Sequence, residues 1–358
     1  MANLPAHVVR FDAWVDPAFD ARLSREPGLA LAVHPMPATP GAARAALAGA
    51  HVYHVSAARD ELPAHCRVGP ELLAQCPSLL CASSYGAGYD PIDVAACTRA
   101  GVAVVNQSGG NAVSVAEHTL GLILAVTHRI AESDRRLRVE RGLSRESLTG
   151  TEIAGKTLGL VGLGNVGRRV ATLARAFGLR VLATDPLLDG EEIRRRGAEP
   201  CALADLLDQA DIVSLHCPRD AGTTGMIDAA ALARMKRGAI LVSTARGGIH
   251  DERALADAIA DGRIAGAGLD VWEREPPPPE HPLLALPTVV ATYHTAGVTH
   301  EARRNMATIS AEQIVALIAG ERPPRLVNPE VWPHYAERFA AILGRAPAAP
   351  SGQLASGR

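Results

Sequence analysis

The stretch Thr157-Leu158-Gly159-Leu160-Val161-Gly162-Leu163-Gly164-Asn165-Val166-Gly167, followed 18 residues later by Asp185, decides the fold. Residues 157–161 form a short apolar run, the pattern of a buried parallel strand. Val166, Val170, Leu173, Ala174 and Phe177 then recur at helical spacing, and Gly178 is placed to end the helix. Arg180-Val181-Leu182-Ala183-Thr184 reads as the next strand, closed by Asp185. A lone G-x-G-x-x-G also occurs as a glycine turn in ordinary βαβ units, but strand, turn, helix and acid together describe a dinucleotide cradle. Gly162 permits the tight turn, Gly164 lets the backbone approach a pyrophosphate, and Gly167 lets helix and strand pack closely. Free N–H groups at the helix start face the phosphates, so Asn165 and Val166 join the glycines as candidate contacts. A carboxylate at Asp185 would accept hydrogen bonds from a ribose 2′-OH and repel a 2′-phosphate, which favours NAD(H) over NADP(H).

Outward from this unit the chain keeps an α/β rhythm. Upstream, 7–11, 29–33, 51–55, 79–82 and 102–105 read as strands, with helices at 70–76 and 91–100. Downstream, strands are expected at 211–216, 238–243, 265–269 and 288–291, with helices near 203–209, 228–235 and 252–261. Such alternation predicts two doubly wound parallel sheets. Residues 113–138 read as one long helix, buried nearly all round, with Ser114 as N-cap and Glu117 completing a capping box. Pro276–Pro279 is a stiff loop, and a helix over about 299–319 can return the chain to the first domain. The expected organisation is 1–112 with 299–335 as a discontinuous domain, 113–298 as the dinucleotide-binding domain, and 336–358 as a tail. From about Ala346 that tail is Ala, Pro, Ser and Gly with little to bury, and is expected to be partly disordered.

A chain of 358 residues is long enough for about two domains. A net charge of −2 implies no polyanion, so no nucleic acid is expected as partner. No stretch reads as a membrane span or secretory signal. The six cysteines, Cys66, Cys76, Cys81, Cys97, Cys201 and Cys217, contain no C-x-x-C pair, which fits reduced thiols in the cytoplasm. His216-Cys217 is the nearest approach to a metal-ligand pair and reads as a strand end beside the cofactor; no metal is expected.

The doubly wound arrangement places ligands at the carboxyl ends of strands. Asp185, His216, Arg246, Asp270 and His294 lie there. Hydride transfer to a 2-keto acid needs a cation to hold the carboxylate and polarise the carbonyl, which arginine does with paired hydrogen bonds. It needs an acid to protonate the new alkoxide, and histidine suits neutral pH. A second carboxylate fixes the imidazole and favours its charged form. Arg246, His294 and Glu275 fit these roles, with Glu273 the nearest rival of Glu275.

Several blocks together resemble the D-isomer-specific 2-hydroxyacid dehydrogenase family, over about residues 50 to 330. They are Ser84-Tyr85-Gly86-Ala87-Gly88-Tyr89-Asp90 with Ile92-Asp93, Asn106 and Gly110 through His118, and Ala245-Arg246-Gly247-Gly248 with Asp251. Gly268 through Pro276 and His294-Thr295-Ala296-Gly297 complete them. The resemblance implies a flavodoxin-like substrate domain and a Rossmann NAD-binding domain with an interdomain cleft, and a homodimer. It implies an NAD-dependent oxidoreductase acting on a small D-2-hydroxy or 2-keto acid. Arg246 would bind the substrate carboxylate and carbonyl, and His294 would be the acid/base paired with Glu275. Backbone N–H groups around Tyr85, Gly86 and Ala87 would hold the carboxylate's other side, with Asn111 a further candidate contact. Asp270 would lie near the nicotinamide carboxamide, and His216, Cys217, Pro218, Thr244, Ala245 and Gly297 are candidate cofactor contacts. Tyr293, where proline is usual, and Ser243, where asparagine is usual, depart from the pattern; Tyr85 is bulky at a loop that faces the substrate. Phosphite and formate dehydrogenases share the fold, although the latter pairs its histidine with glutamine where this chain has Glu275. A non-catalytic NAD-sensing protein like the C-terminal-binding corepressors is the alternative of another class.

Overall fold

A computed structural model of the protein describes residues 5–348. The chain divides into two units, Met1–Asn111 with His300–Arg358, and Ala112–Thr299.

The first unit is built on a parallel sheet of β1 (Ala6–Phe11), β2 (Leu29–His34), β3 (Val52–Val55), β4 (Cys81–Ser84) and β5 (Ala103–Val105), in the order β2-β1-β3-β4-β5. Alternation along β1 sends Val9 and Phe11 to one core and Ala6 and Val8 to the other, so both faces are covered. The second of these cores also takes Leu317, Tyr335 and Phe339 from the C-terminal helices His300–Ala319 and Trp332–Leu343. Asn328 locks this return: its side chain accepts from Val104 N at 2.8 Å and donates to Val102 O at 3.1 Å. Residues 336–343, read from sequence as tail, are therefore part of a packed helix. Tyr335 and Phe339 supply its buried face. The expected disorder further on falls partly on residues 349–358, outside the described residues.

The second unit carries β6 (Thr157–Val161), β7 (Arg180–Thr184), β8 (Glu199–Pro200), β9 (Ile212–Leu215), β10 (Ala239–Ser243), β11 (Ile264–Leu269) and β12 (Val289–Ala291). Their order is β12-β11-β10-β9-β6-β7-β8, all parallel. Because β6 has β7 on one side and β9 on the other, the direction of winding reverses at β6, which opens a crevice at the carboxyl ends of β6 and β9.

The stretch 113–138 is two helices, Ala112–Thr127 and Ile130–Val139. Tertiary contacts interrupt the periodicity. The Thr127 carbonyl accepts from Thr151 N at 2.8 Å, and Arg129 takes a left-handed φ of 54°. Its guanidinium then turns onto the buried Glu132 carboxylate at 2.7 Å. Ser114 lies inside the first helix, not at its cap, and its hydroxyl donates to Ala296 O at 2.8 Å.

Candidate active site

The cradle is shaped by contacts that side chains would destroy. Gly162 has φ +94°, and a Cβ there would stand 2.8 Å from Cys217 N and His216 C, the residues that follow β9. A Cβ on Gly167 would collide with the Gly162 carbonyl, whereas one on Gly164 would meet only open space. The turn therefore has room on the side where Gly164 faces, as a bound pyrophosphate requires, and a dinucleotide fits it. The Asp185 carboxylate accepts from Leu163 N at 2.9 Å and Leu187 N at 3.0 Å, which fixes it against the turn. Arg168 reaches Asn165 Oδ1 at 3.0 Å. At the end of β9, His216 shares a hydrogen bond with Ser214 (2.9 Å), and burial pushes its imidazole down to about 4. Burial likewise pushes the Cys217 thiol up to about 11, so neither group is charged near neutral pH. Pro218 O accepts from Thr223 Oγ1 at 2.7 Å. Past β10, the Thr244 hydroxyl shares a hydrogen bond with Thr119 (3.1 Å), and Ala245 O accepts from Arg246 Nη1 at 2.7 Å.

Arg246, Glu275 and His294 follow β10, β11 and β12 respectively, which form adjacent strands of the second unit. His294 Nδ1 and Glu275 Oε2 are 2.8 Å apart. The other Glu275 oxygen accepts from Trp272 N at 3.1 Å. Burial opposes charge on both groups, and their mutual attraction outweighs it. The hydrogen bond and charge of Glu275, with Asp270, raise the imidazole above the ordinary histidine range despite burial and Arg246. The imidazole, the Trp272 amide and the positive charge of Arg246 hold the Glu275 carboxyl below the usual range. Each partner thus favours the charged form of the other. The rival Glu273 contributes its backbone N–H to Glu252, and its side chain lies outside this pair.

His294 sits at φ 47°, a left-handed conformation that needs outside support in a residue with a Cβ. Asp270 supplies it. Its carbonyl accepts from His294 N at 2.6 Å, and its carboxylate accepts from Thr292 Oγ1 (2.6 Å), Thr295 N (2.8 Å) and Ala296 N (2.9 Å). His118 bonds Thr292 Oγ1 at 3.0 Å. Asp270 is 1% exposed, and its carboxylate is engaged by the residues 292–296. Gly297 follows directly on this supported loop. His118 and Ser114 were not singled out as supports, because only folding brings them to the residues 292–296.

In the first unit the loop after β4 differs from expectation. The Tyr85 N–H donates to Val55 O at 2.9 Å and is not free for a ligand, and Gly86 N reaches only Ser84 Oγ at 3.4 Å. The Tyr85 hydroxyl donates to Trp14 O at 2.7 Å and accepts from Arg303 at 3.3 Å, while the Arg303 guanidinium stacks over the Trp14 ring at 4.3 Å. Ala87 O accepts from Asn106 Nδ2 at 2.7 Å, and Asn111 ends the unit just before Ala112. Among the described residues, no helix is long and apolar enough to cross a membrane.

A family model described as the NAD binding domain of D-isomer specific 2-hydroxyacid dehydrogenase matches residues 120–296. The chain is 41% identical over 267 residues to a glyoxylate reductase of Korarchaeum cryptofilum, covering 74% of this chain and 80% of that protein. It is 41% identical over 268 residues to a D-3-phosphoglycerate dehydrogenase of Archaeoglobus fulgidus, covering 75% of this chain but only 51% of that longer protein. A glyoxylate reductase structure from Paecilomyes thermophila superposes with a TM-score of 0.80 at 28% identity, covering 91% of this chain and 99% of its own. By these likenesses and by the cradle and strand-end residues described above, the chain belongs to the D-isomer specific 2-hydroxyacid dehydrogenase family, NAD-dependent oxidoreductases.

Proposed function

We propose that the protein reduces a small 2-keto acid to its D-2-hydroxy acid, and catalyses the reverse, with His294 as acid/base. The observation that carries this reading is the 2.8 Å contact between His294 Nδ1 and Glu275, beside the positive charge of Arg246. NADH bound in the cradle supplies the hydride. Because Glu275 occupies Nδ1, Nε2 is the atom left to donate a proton to the forming alkoxide. Arg246 binds the carboxylate and the carbonyl oxygen, drawing charge off the carbon that receives hydride. In the first unit, the residues Gly86, Ala87 and Asn111 are the candidate substrate contacts, with the Tyr85 amide excluded by its bond to Val55. Glyoxylate and hydroxypyruvate are the first substrates to try, since both a glyoxylate reductase and a phosphoglycerate dehydrogenase are among the relatives.

Asp185, fixed by Leu163 and Leu187 amides, supports a preference for NAD(H): its negative charge would repel a 2′-phosphate. We also propose a homodimer, through the exposed apolar positions Ile130, Leu137 and Val139. The six free thiols support a reducing compartment such as the cytoplasm.

The test is a panel of 2-keto acids, with formate and phosphite included, followed by nicotinamide absorbance in both directions. Turnover of a keto acid that His294→Ala lowers by about 10²- to 10⁴-fold, with NADH binding retained, is the expected result. Turnover of formate or phosphite alone would replace the substrate class. NADH binding with no turnover of any compound would favour the sensor reading.

A further inference from the structure

We propose that the part-buried Glu252–His281 pair is a positioning dyad that clamps both ends of the loop presenting Glu275, and so sets the geometry of the Glu275–His294 couple. This rests on the reading of His294 as acid/base.

Glu252 opens the helix Glu252–Ala260 behind its Asp251 cap and is 7% exposed. Its two carboxylate oxygens reach two separate points of one loop. One accepts from Glu273 N at 2.7 Å, and the other meets His281 Nε2 at 2.9 Å. Between these anchors lie Glu275 and the four prolines Pro276–Pro279. A single buried carboxylate therefore pins the start and the end of the segment that carries the imidazole's partner. Burial raises the Glu252 carboxyl, against the Glu273 N–H and His281, which favour its charged form.

The clamp communicates with all three strand-end residues. His281 packs edge-on against Trp272, with ring centroids 5.5 Å apart. Trp272 N donates to Glu275 Oε1 at 3.1 Å, and its indole N–H donates to Thr292 O at 3.0 Å, two residues before His294. On the other side, a Cβ on Gly247 would collide with the Trp272 carbonyl, so the backbone next to Arg246 rests on the same residue. Displacing Trp272 or Glu273 would thus disturb the settings of Arg246, Glu275 and His294 together. A buried polar contact of this kind often adds little net stability compared with apolar residues of similar volume, so geometry is the better account of it. The groups facing the pair are Glu273 and His250, and those facing His294 are Glu275, Arg246 and Asp270.

The test compares Glu252→Gln, which keeps shape and loses charge, with His281→Phe, which keeps the ring and loses the hydrogen bond. Folding is checked by circular dichroism and NADH binding by fluorescence. The His294 imidazole is titrated by NMR in cofactor-free protein, and kcat and KM are measured with the best keto acid. The expected result is NADH affinity within about twofold, kcat lowered by about 10- to 100-fold with a smaller change in KM, and a His294 titration midpoint moved down. A variant that fails to fold leaves the decision to the other. Unfolding of both would make the pair a prop of the fold and reject the proposal, as would folded variants with unchanged titration and kcat. If the native protein turns over no keto acid but the titration still moves, the functional reading fails and the clamp on Glu275–His294 stands. If it turns over and nothing moves, the clamp alone fails.

Discussion

At the scale of single residues, the chemistry turns on which protonation states the fold favours. His294 is raised above the ordinary histidine value of about 6.5. With His294 as the proposed proton donor, keto-acid reduction would need the imidazolium, so at saturating NADH its rate should hold at low pH and fall as pH rises through the raised value. Oxidation of the hydroxy acid needs the neutral ring and should show the opposite limb. A flat profile for reduction would remove His294 as the proton donor in the slow step. The same pair gives a stability window. The raised His294 contributes stability that is lost as pH rises through its folded value, and the lowered Glu275 contributes stability that is lost as pH falls through its own. His250 presents a different case. It is 0% exposed, and neither ring nitrogen finds a hydrogen-bond partner among the described residues; burial pushes its imidazole down to about 4. Carrying two polar atoms there without partners is costly, so His250→Val should stabilise the protein by about 1–3 kcal/mol. Thermal unfolding would show a higher midpoint; a lower one would mean that the ring has a polar role.

At the scale of elements, the cradle depends on how closely the helix Gly167–Ala176 approaches the end of β6. Because a Cβ on Gly167 would run into the Gly162 carbonyl, Gly167→Ala must push the helix start away from the strand. The helix would itself favour alanine over glycine, but the backbone clash outweighs that propensity. NADH affinity should fall at least about tenfold, with a loss of stability of about 1–3 kcal/mol. Fluorescence titration and thermal melts measure the two, and unchanged affinity would show that the close approach is dispensable. The break at Arg129 and the displaced cap at Ser114 belong to this scale as well. Local periodicity predicted one helix, but the Thr151 amide takes the Thr127 carbonyl that an uninterrupted helix would use itself.

At the scale of the whole molecule, each unit closes its own parallel sheet with a core on both faces. The helix Ile130–Val139 still exposes Ile130 (55%), Leu137 (66%) and Val139 (80%). Ile130 and Leu137 are seven residues apart, on one face of the helix, and apolar side chains so placed gain by meeting a second copy. Sedimentation velocity should find a dimer, and Ile130→Asp with Leu137→Asp should shift it to monomer while leaving NADH binding intact. A native protein that sediments as a monomer at micromolar concentration would end the dimer proposal.

The glycine turn, the strand-helix rhythm and the blocks around Arg246, Glu275 and His294 were readable without coordinates. The turn and the rhythm depend on local rules, a positive φ that only glycine accepts easily and periodicities of two and 3.6, whereas the three blocks were read as candidates from their resemblance to the family's motifs. Folding alone decided where the hydrogen bonds between distant segments would go. It gave the Tyr85 amide to Val55, turned the Asp270 carboxylate onto the residues 292–296, joined Glu252 to His281 and packed 336–343 against the first sheet. Each of those pairings joins residues apart in the chain, and a polar group chooses its partner by which one burial leaves within about 3 Å, a distance that sequence order does not encode.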